Sequence, residues 1–153
     1  MNPSDTIVAI SSAAGPAVRG IVRVAGPLAH RAVAAWLADD DADPACATRQ
    51  QALLARQPGT FDGARLALPG WPPVPVLLVS FRGPRSYSGD DVVELHVPGS
   101  PPLVQAVVAT LLATVPPHGP VRLAHPGEFT LRALLHGRLD VTQAEAVAAL
   151  IGA

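Results

Sequence analysis

Lysine is absent: all 11 basic residues among the 153 are arginine. That alone removes the Walker-type nucleotide loop, whose lysine reaches the phosphates. Cysteine is nearly absent too. Cys46 stands alone in the polar stretch "DDDADPACATRQ", so the chain forms no internal disulfide and no cysteine-built zinc site. Nothing beside Cys46 marks it as an activated nucleophile. Aromatic residues make up only 4%, which leaves Ala, Val and Leu to fill the core. The longest apolar runs, such as "VPVLLVSF", are too short to span a bilayer. The start, "MNPSDTIVAI", has neither the basic n-region nor the long apolar segment of a secretory signal, and a cytoplasmic location is the expectation. A net charge of −1 lacks the basic excess of a dedicated nucleic-acid-binding surface. No G-x-S-x-G nucleophile elbow occurs. His30, His96, His118, His125 and His136 show neither i,i+4 pairing nor a cluster with cysteine, so no metal site is expected.

What is present points to one folded unit. Hydrophobic residues reach 49%, enough to bury a core at this length. "DTIVAIS" reads as a first strand, and "GIVRVAG" over Gly20–Gly26 as a second, with a Gly/Pro loop between them. Pro27–Ala38 has helical spacing at Leu28, Val33, Trp36 and Leu37, and Pro27 suits a first turn. Residues 39–58 are polar, with Asp39, Asp40, Asp41 and Asp43 together, and read as a solvated loop. "GTFDGARLALPG" and "PVPVLLVSFRG" look like two strands joined by a tight Pro/Gly connection. "PRSYSG" is a turn. Pro101–Val115 is an apolar helix, Pro120–Ala124 a short strand, and Gly127–Gly137 a helix closed by Gly137 at its C′ position. Thr142 and Glu145 are spaced as a capping box opening a last helix. That helix is still apolar at Ala153, and the pattern predicts more chain beyond it. Strands and helices without strict alternation predict an α+β fold.

Within this frame three polar residues stand out. The segment Gly89–Gly99, "GDDVVELHVPG", alternates as a half-buried strand. Asp91, Val93, Leu95 and Val97 lie on one face, and Val92, Glu94 and His96 on the other. A carboxylate at the centre of such a strand is costly unless paired. Arg23 sits centrally in the apolar strand "GIVRVAG", and Arg138 follows a helix end in "HGRLD". Two readings stay open. In one, Arg23 and Glu94 pair with each other across a sheet. In the other, Glu94 offers its two oxygens to an amidine-like N–H/NH₂ edge while the arginines grip carboxylates. Together the three would then suit a flat heterocycle with an acidic tail. Glu128 and Arg132, four apart on one helix, read as an intrahelical pair of modest worth.

Taken in order, "DTIVAISSAAGPAVRGIVRVAG", "GPRSYSGDDVVELHVPG" and "AHPGEFTLRALLHGRLDVTQAEAVAALI" resemble the N-terminal domain of the tRNA-modification GTPase family MnmE/TrmE. The resemblance runs from Asp5 to Ile151; its long PGEF-to-QAEA block is the specific part, and residues 39–75 contribute little. It implies a folate-binding fold like that of the glycine-cleavage aminomethyltransferase, with a mixed β-sheet and flanking helices. Residues 1–140 would be the folate-binding, dimerising domain, and 141–153 the start of a helix leading to a following domain. It further implies 5-formyltetrahydrofolate as the bound cofactor, used as a one-carbon donor for the wobble uridine of certain tRNAs. A homodimer, a flavin-containing MnmG/GidA-type partner, and tRNA met through the full complex would be the partners. GTP, Mg and K would belong to a later domain, so this one would not be catalytic alone. Carried over by position, the folate-contacting arginine falls on Arg23, the pterin-contacting glutamate on Glu94, and a folate-contacting lysine on Arg138.

The chain departs from the family pattern in places. Where the family has a histidine followed by two glycines, this chain has Pro98, Gly99 and Ser100, and Pro98 and Ser100 are expected to disturb a close backbone approach to the ligand. Arg138 replaces lysine, His136 an asparagine, and the first-loop arginine is shifted or lost as Arg19. Two alternatives follow: a divergent dimerisation or interaction module that has lost folate binding, and a stand-alone folate-dependent one-carbon transferase.

Overall fold

Residues 1–38, 43–114 and 121–152 are described by a computed structural model. Among the described residues six strands make one mixed sheet in the order β3-β4-β5-β2-β1-β6: β1 (Thr6–Ile10), β2 (Arg19–Ala25), β3 (Gly59–Leu66), β4 (Val74–Phe81), β5 (Val92–Pro98) and β6 (Val121–Leu123). All neighbours are antiparallel except β1 and β6, which run parallel. The architecture is α+β, as the mixed pattern predicts.

The strands alternate as their sequences dictate. Val93, Leu95 and Val97 of β5 turn to one face, with Val22 and Val24 of β2 and Val74, Val76 and Leu78 of β4. Three helices close over that face: α1 (Ala29–Ala34), α2 (Cys46–Leu54) and α3 (Pro101–Leu112). Val104, Val107, Val108 and Leu111 supply the apolar stripe of α3, and each such side chain is worth about 1.5–3 kcal/mol when fully buried. The other face carries a smaller apolar group, Ile7, Ala25 and Val92, with Phe81 and Phe129 packed against it. Phe129 belongs to α4 (Glu128–Leu135), and α5 (Val141–Gly152) follows. Among the described residues no helix is long and apolar enough to cross a membrane.

Several expectations need correction. The first helix stops at Ala34 rather than Ala38. The chain leaves it to pair with the end of β3: Leu37 bridges Leu66, Ala38 N–H donates to Arg65 O at 2.8 Å and Ala67 N–H to Trp36 O at 2.8 Å. The polar stretch is not all loop. Cys46–Leu54 is helical and is held chiefly by Leu53, which is fully buried. One apolar anchor in nine residues gives too weak a periodicity to read. Asp39, Asp40 and Asp41 lie outside the described residues, as do Val115, His118, Pro120 and Ala153. The cap of α5 lies two residues earlier than Thr142/Glu145. Asp140 Oδ1 accepts from Gln143 N–H at 2.8 Å, and Gln143 Oε1 accepts from Asp140 N–H at 3.0 Å, which is the reciprocal box.

Candidate functional site

The register brings the two central candidates together. Arg23 of β2 lies directly opposite Glu94 of β5, and Ile21 opposite His96. Arg23 donates from Nε at 3.0 Å and from Nη2 at 2.8 Å, both to Glu94 Oε1. His96 Nε2 lies 3.2 Å from Oε2; since a carboxylate oxygen only accepts, His96 carries its proton on that nitrogen. Its buried Nδ1 has no partner among the described residues. The Arg23 guanidinium also lies over the Phe129 ring, 5.6 Å from its centroid, within cation–π range. The internal pairing foreseen for Arg23 and Glu94 is therefore present.

The pair is not sealed in the core. Arg23 keeps 29% of its side chain exposed and Glu94 17%. Both line a cleft of about 330 Å³ with Phe81, Val92, Phe129, Arg138 and the segment Arg85–Ser88. Two elements deliver the rest of the wall, and each has a local cause. At the end of α4, Gly137 takes a left-handed backbone (φ 66). Its N–H donates to Leu134 O at 3.0 Å, and Arg138 N–H to Ala133 O at 2.7 Å. This is a Schellman closure, which a glycine makes at no steric cost, and it turns Arg138 back toward the cleft. The Arg85–Ser88 segment is pinned at several points. Ser86 Oγ donates to Asp90 O at 2.6 Å, His136 Nδ1 donates to Ser88 O at 2.7 Å, and Tyr87 Oη meets Thr130 Oγ1 at 3.1 Å. Asp91 Oδ1 accepts from Gly83 N–H at 3.0 Å, and its Oδ2 accepts from Arg56 Nη1 at 3.0 Å.

Arg23, Glu94 and Arg138 thus share one cleft. Pro98 and Ser100 do not belong to it. They flank Gly99 at the far end of β5 from Val92, beside the first loop. Ala17 N–H donates to Gly99 O at 2.9 Å, and Gly99 N–H to Val18 O at 3.3 Å. A Cβ on Gly99 would overlap Ala17 O, so the close approach that this glycine permits is to the protein's own backbone. Sequence reasoning missed Arg85, Tyr87, Phe81 and Phe129. For Arg85 and Tyr87 the signal was the position of "PRSYSG" immediately before the Glu94 strand; Phe81 and Phe129 lie in other segments.

Glu128 and Arg132 are more than a helical surface pair. Both side chains are 1% exposed. Glu128 accepts from Arg122 Nη2 at 2.7 Å and Nη1 at 2.9 Å, from His125 N–H at 2.9 Å and from Arg132 Nη2 at 3.0 Å. Arg122 first, then the His125 N–H and Arg132, hold its carboxyl down at about 2. Arg122 also grips Asp5 at 2.7 Å, and Arg132 reaches Asp90 at 3.4 Å. The cluster ties the N-terminus, β6 and α4 to the loop bearing Arg85. On the helix side of the sheet, buried His30 shares a 2.8 Å hydrogen bond with Ser80 Oγ, and burial lowers its pKa. His30, Ser80 and Asp91 resemble a catalytic triad in composition. Ser80, however, is 2% exposed, and His30 Nδ1 stands 3.8 Å from Asp91, so nothing presents the hydroxyl to a substrate.

Comparison with known proteins places this geometry in a lineage. The family model described as "GTP-binding protein TrmE N-terminus" matches residues 6–138. The chain is 41% identical over 155 residues to a tRNA modification GTPase MnmE of Parasynechococcus marenigrum (strain WH8102), covering 100% of this chain and 31% of that protein. It is 43% identical over 151 residues to the one of Koribacter versatilis (strain Ellin345), covering 99% and 30%, and 42% identical over 150 residues to the one of Halorhodospira halophila (strain DSM 244 / SL1), covering 98% and 28%. The chain belongs to the TrmE N-terminal family. It spans about a third of the length of these curated relatives.

Proposed function

We propose that the domain binds a reduced folate, 5-formyltetrahydrofolate, in the Arg23–Glu94 cleft, as the folate-binding and dimerising part of a cytoplasmic tRNA-modification GTPase acting on the wobble uridine. The observation that carries this reading is a partly exposed, hydrogen-bonded carboxylate lining a cleft together with Phe81, Tyr87 and Phe129. The residues fit such a ligand. Aromatic and apolar walls accept the faces of a flat ring. Glu94 Oε2 carries a single contact, from His96, and a carboxylate oxygen has room for a second donor. Arginines complement an acidic tail.

When bound, the folate would supply the one-carbon unit. The chain's own part would be to orient the ring through Glu94 and Arg23 and to hold the tail. GTP with its Mg and K, the flavin-containing MnmG/GidA-type partner and tRNA would be engaged through the other two thirds of the relatives' length. A second reading has its own support: the Glu94 carboxylate is already paired within the protein, by Arg23 on one oxygen and His96 on the other, which suits an interaction module that has lost folate.

Calorimetric titration of 5-formyltetrahydrofolate into the wild type and Glu94→Ala separates the two, with sedimentation giving the oligomeric state. Saturable binding by a dimer, lost in the variant, is the expected result. A folded dimer indifferent to the ligand would overturn the folate reading in favour of the interaction module.

A further inference from the structure

The charges around the cleft do not balance. Arg23 and Glu94 cancel each other, and every other lining residue is uncharged except Arg85 and Arg138. Among the described residues neither of these two makes an ion pair or a side-chain hydrogen bond. They come from two walls: Arg85 from the loop before β5, Arg138 from the exit of α4. Both walls are braced against each other by Tyr87 with Thr130 and by His136 with Ser88. Two guanidiniums therefore face one cleft without an anion. A ligand that brings negative charge to the cleft would meet both.

The same cleft therefore holds a charge-neutral Arg23–Glu94 pair, with Val92 and Phe129, and two further guanidiniums, those of Arg85 and Arg138. We propose that Arg85 and Arg138 together form a clamp for a dianion, each guanidinium taking one carboxylate of the ligand's glutamyl tail. The proposal rests on the folate reading and adds Arg85 to the site as its specificity-determining residue. Charge-assisted, forked contacts are the strong ones in such sites. A braced loop avoids the ordering cost that a mobile one would incur.

The test is a set of calorimetric titrations with two ligands, 5-formyltetrahydrofolate and its pteroyl analogue lacking the glutamate, at several salt concentrations. Wild type, Arg85→Ala and Arg138→Ala are compared; both side chains are exposed, so the variants are expected to fold. The wild type should prefer the glutamyl ligand, with affinity falling as salt rises. Arg85→Ala should bind the glutamyl ligand about tenfold more weakly, with a shallower salt dependence, and bind the pteroyl analogue as the wild type does. Equal affinity of wild type and Arg85→Ala for both ligands would overturn the clamp while leaving the folate reading intact. Failure of a folded wild type to bind either ligand would remove the folate reading and the clamp with it.

Discussion

Two carboxylates in this domain are each held by arginine, and they are held differently. Glu128 is sealed in, with four donors on its two oxygens and Arg122 and Arg132 on either side. Glu94 takes both Arg23 contacts on one oxygen, leaves the other to His96, and keeps a face on the cleft. The first arrangement uses its donors to join four parts of the chain. The second retains acceptor capacity beside a wall of aromatic rings. Equal chemistry thus serves architecture in one place and, on the folate reading proposed above, a site in the other. The difference lies in how much solvent and how many partners each carboxylate is left with.

The sharpest way to break that comparison is to delete each carboxylate in turn. Glu128→Ala breaks a buried ion pair, leaving Arg122 with Asp5 alone and buried Arg132 with only Asp90 at 3.4 Å, and should cost about 3–5 kcal/mol in chemical denaturation. Glu94→Ala, at a partly solvated pair, should cost about 1 kcal/mol or less while abolishing ligand binding. Equal losses would show the two sites to be one kind of thing.

Acid should separate them next. The Glu128 carboxyl is depressed from 4.5 to about 2. Its stabilising contribution is therefore complete above about 4.5 and is lost as pH falls toward 2, a change of about 3 kcal/mol. His30 acts earlier with the same sign. Burial lowers its pKa below the ordinary 6.5, so the unfolded chain binds the proton first and stability declines as pH drops below 6.5. Unfolding free energy measured against pH should show this as two descending segments. His30→Gln should flatten the upper one, and a profile unchanged by that substitution would sink the assignment.

The smallest effect lies at α5. Asp140→Ala removes one half of the reciprocal cap and should cost about 1 kcal/mol, seen as fraying in far-UV circular dichroism. Thr142→Ala should change nothing measurable, and a reversal of that order would restore the later capping box.

Much of this was legible from local pattern. Alternation in "GIVRVAG" and "VVELHVP", a glycine two residues past the end of α4, and the apolar stripe of Pro101–Leu112 each concern residues within a few positions of one another, and periodicity reports such relations directly. The oddity of Glu94 and Arg23 was visible for the same reason: each interrupts an apolar strand. What local pattern did not hold was partnership across distance. The helix Cys46–Leu54 depends on one buried leucine meeting the sheet. Gly99 is needed because the first loop returns to it. The Arg122–Glu128 hub reaches back to Asp5, 117 positions away from Arg122. Arg85 shares a cleft with Arg138 only because α4 and its Schellman turn bring Arg138 there. Sequence spacing carries the order of elements and the residues that break their pattern; which of those residues face one another, and whether water reaches them, is set by packing that joins parts of the chain far apart in number.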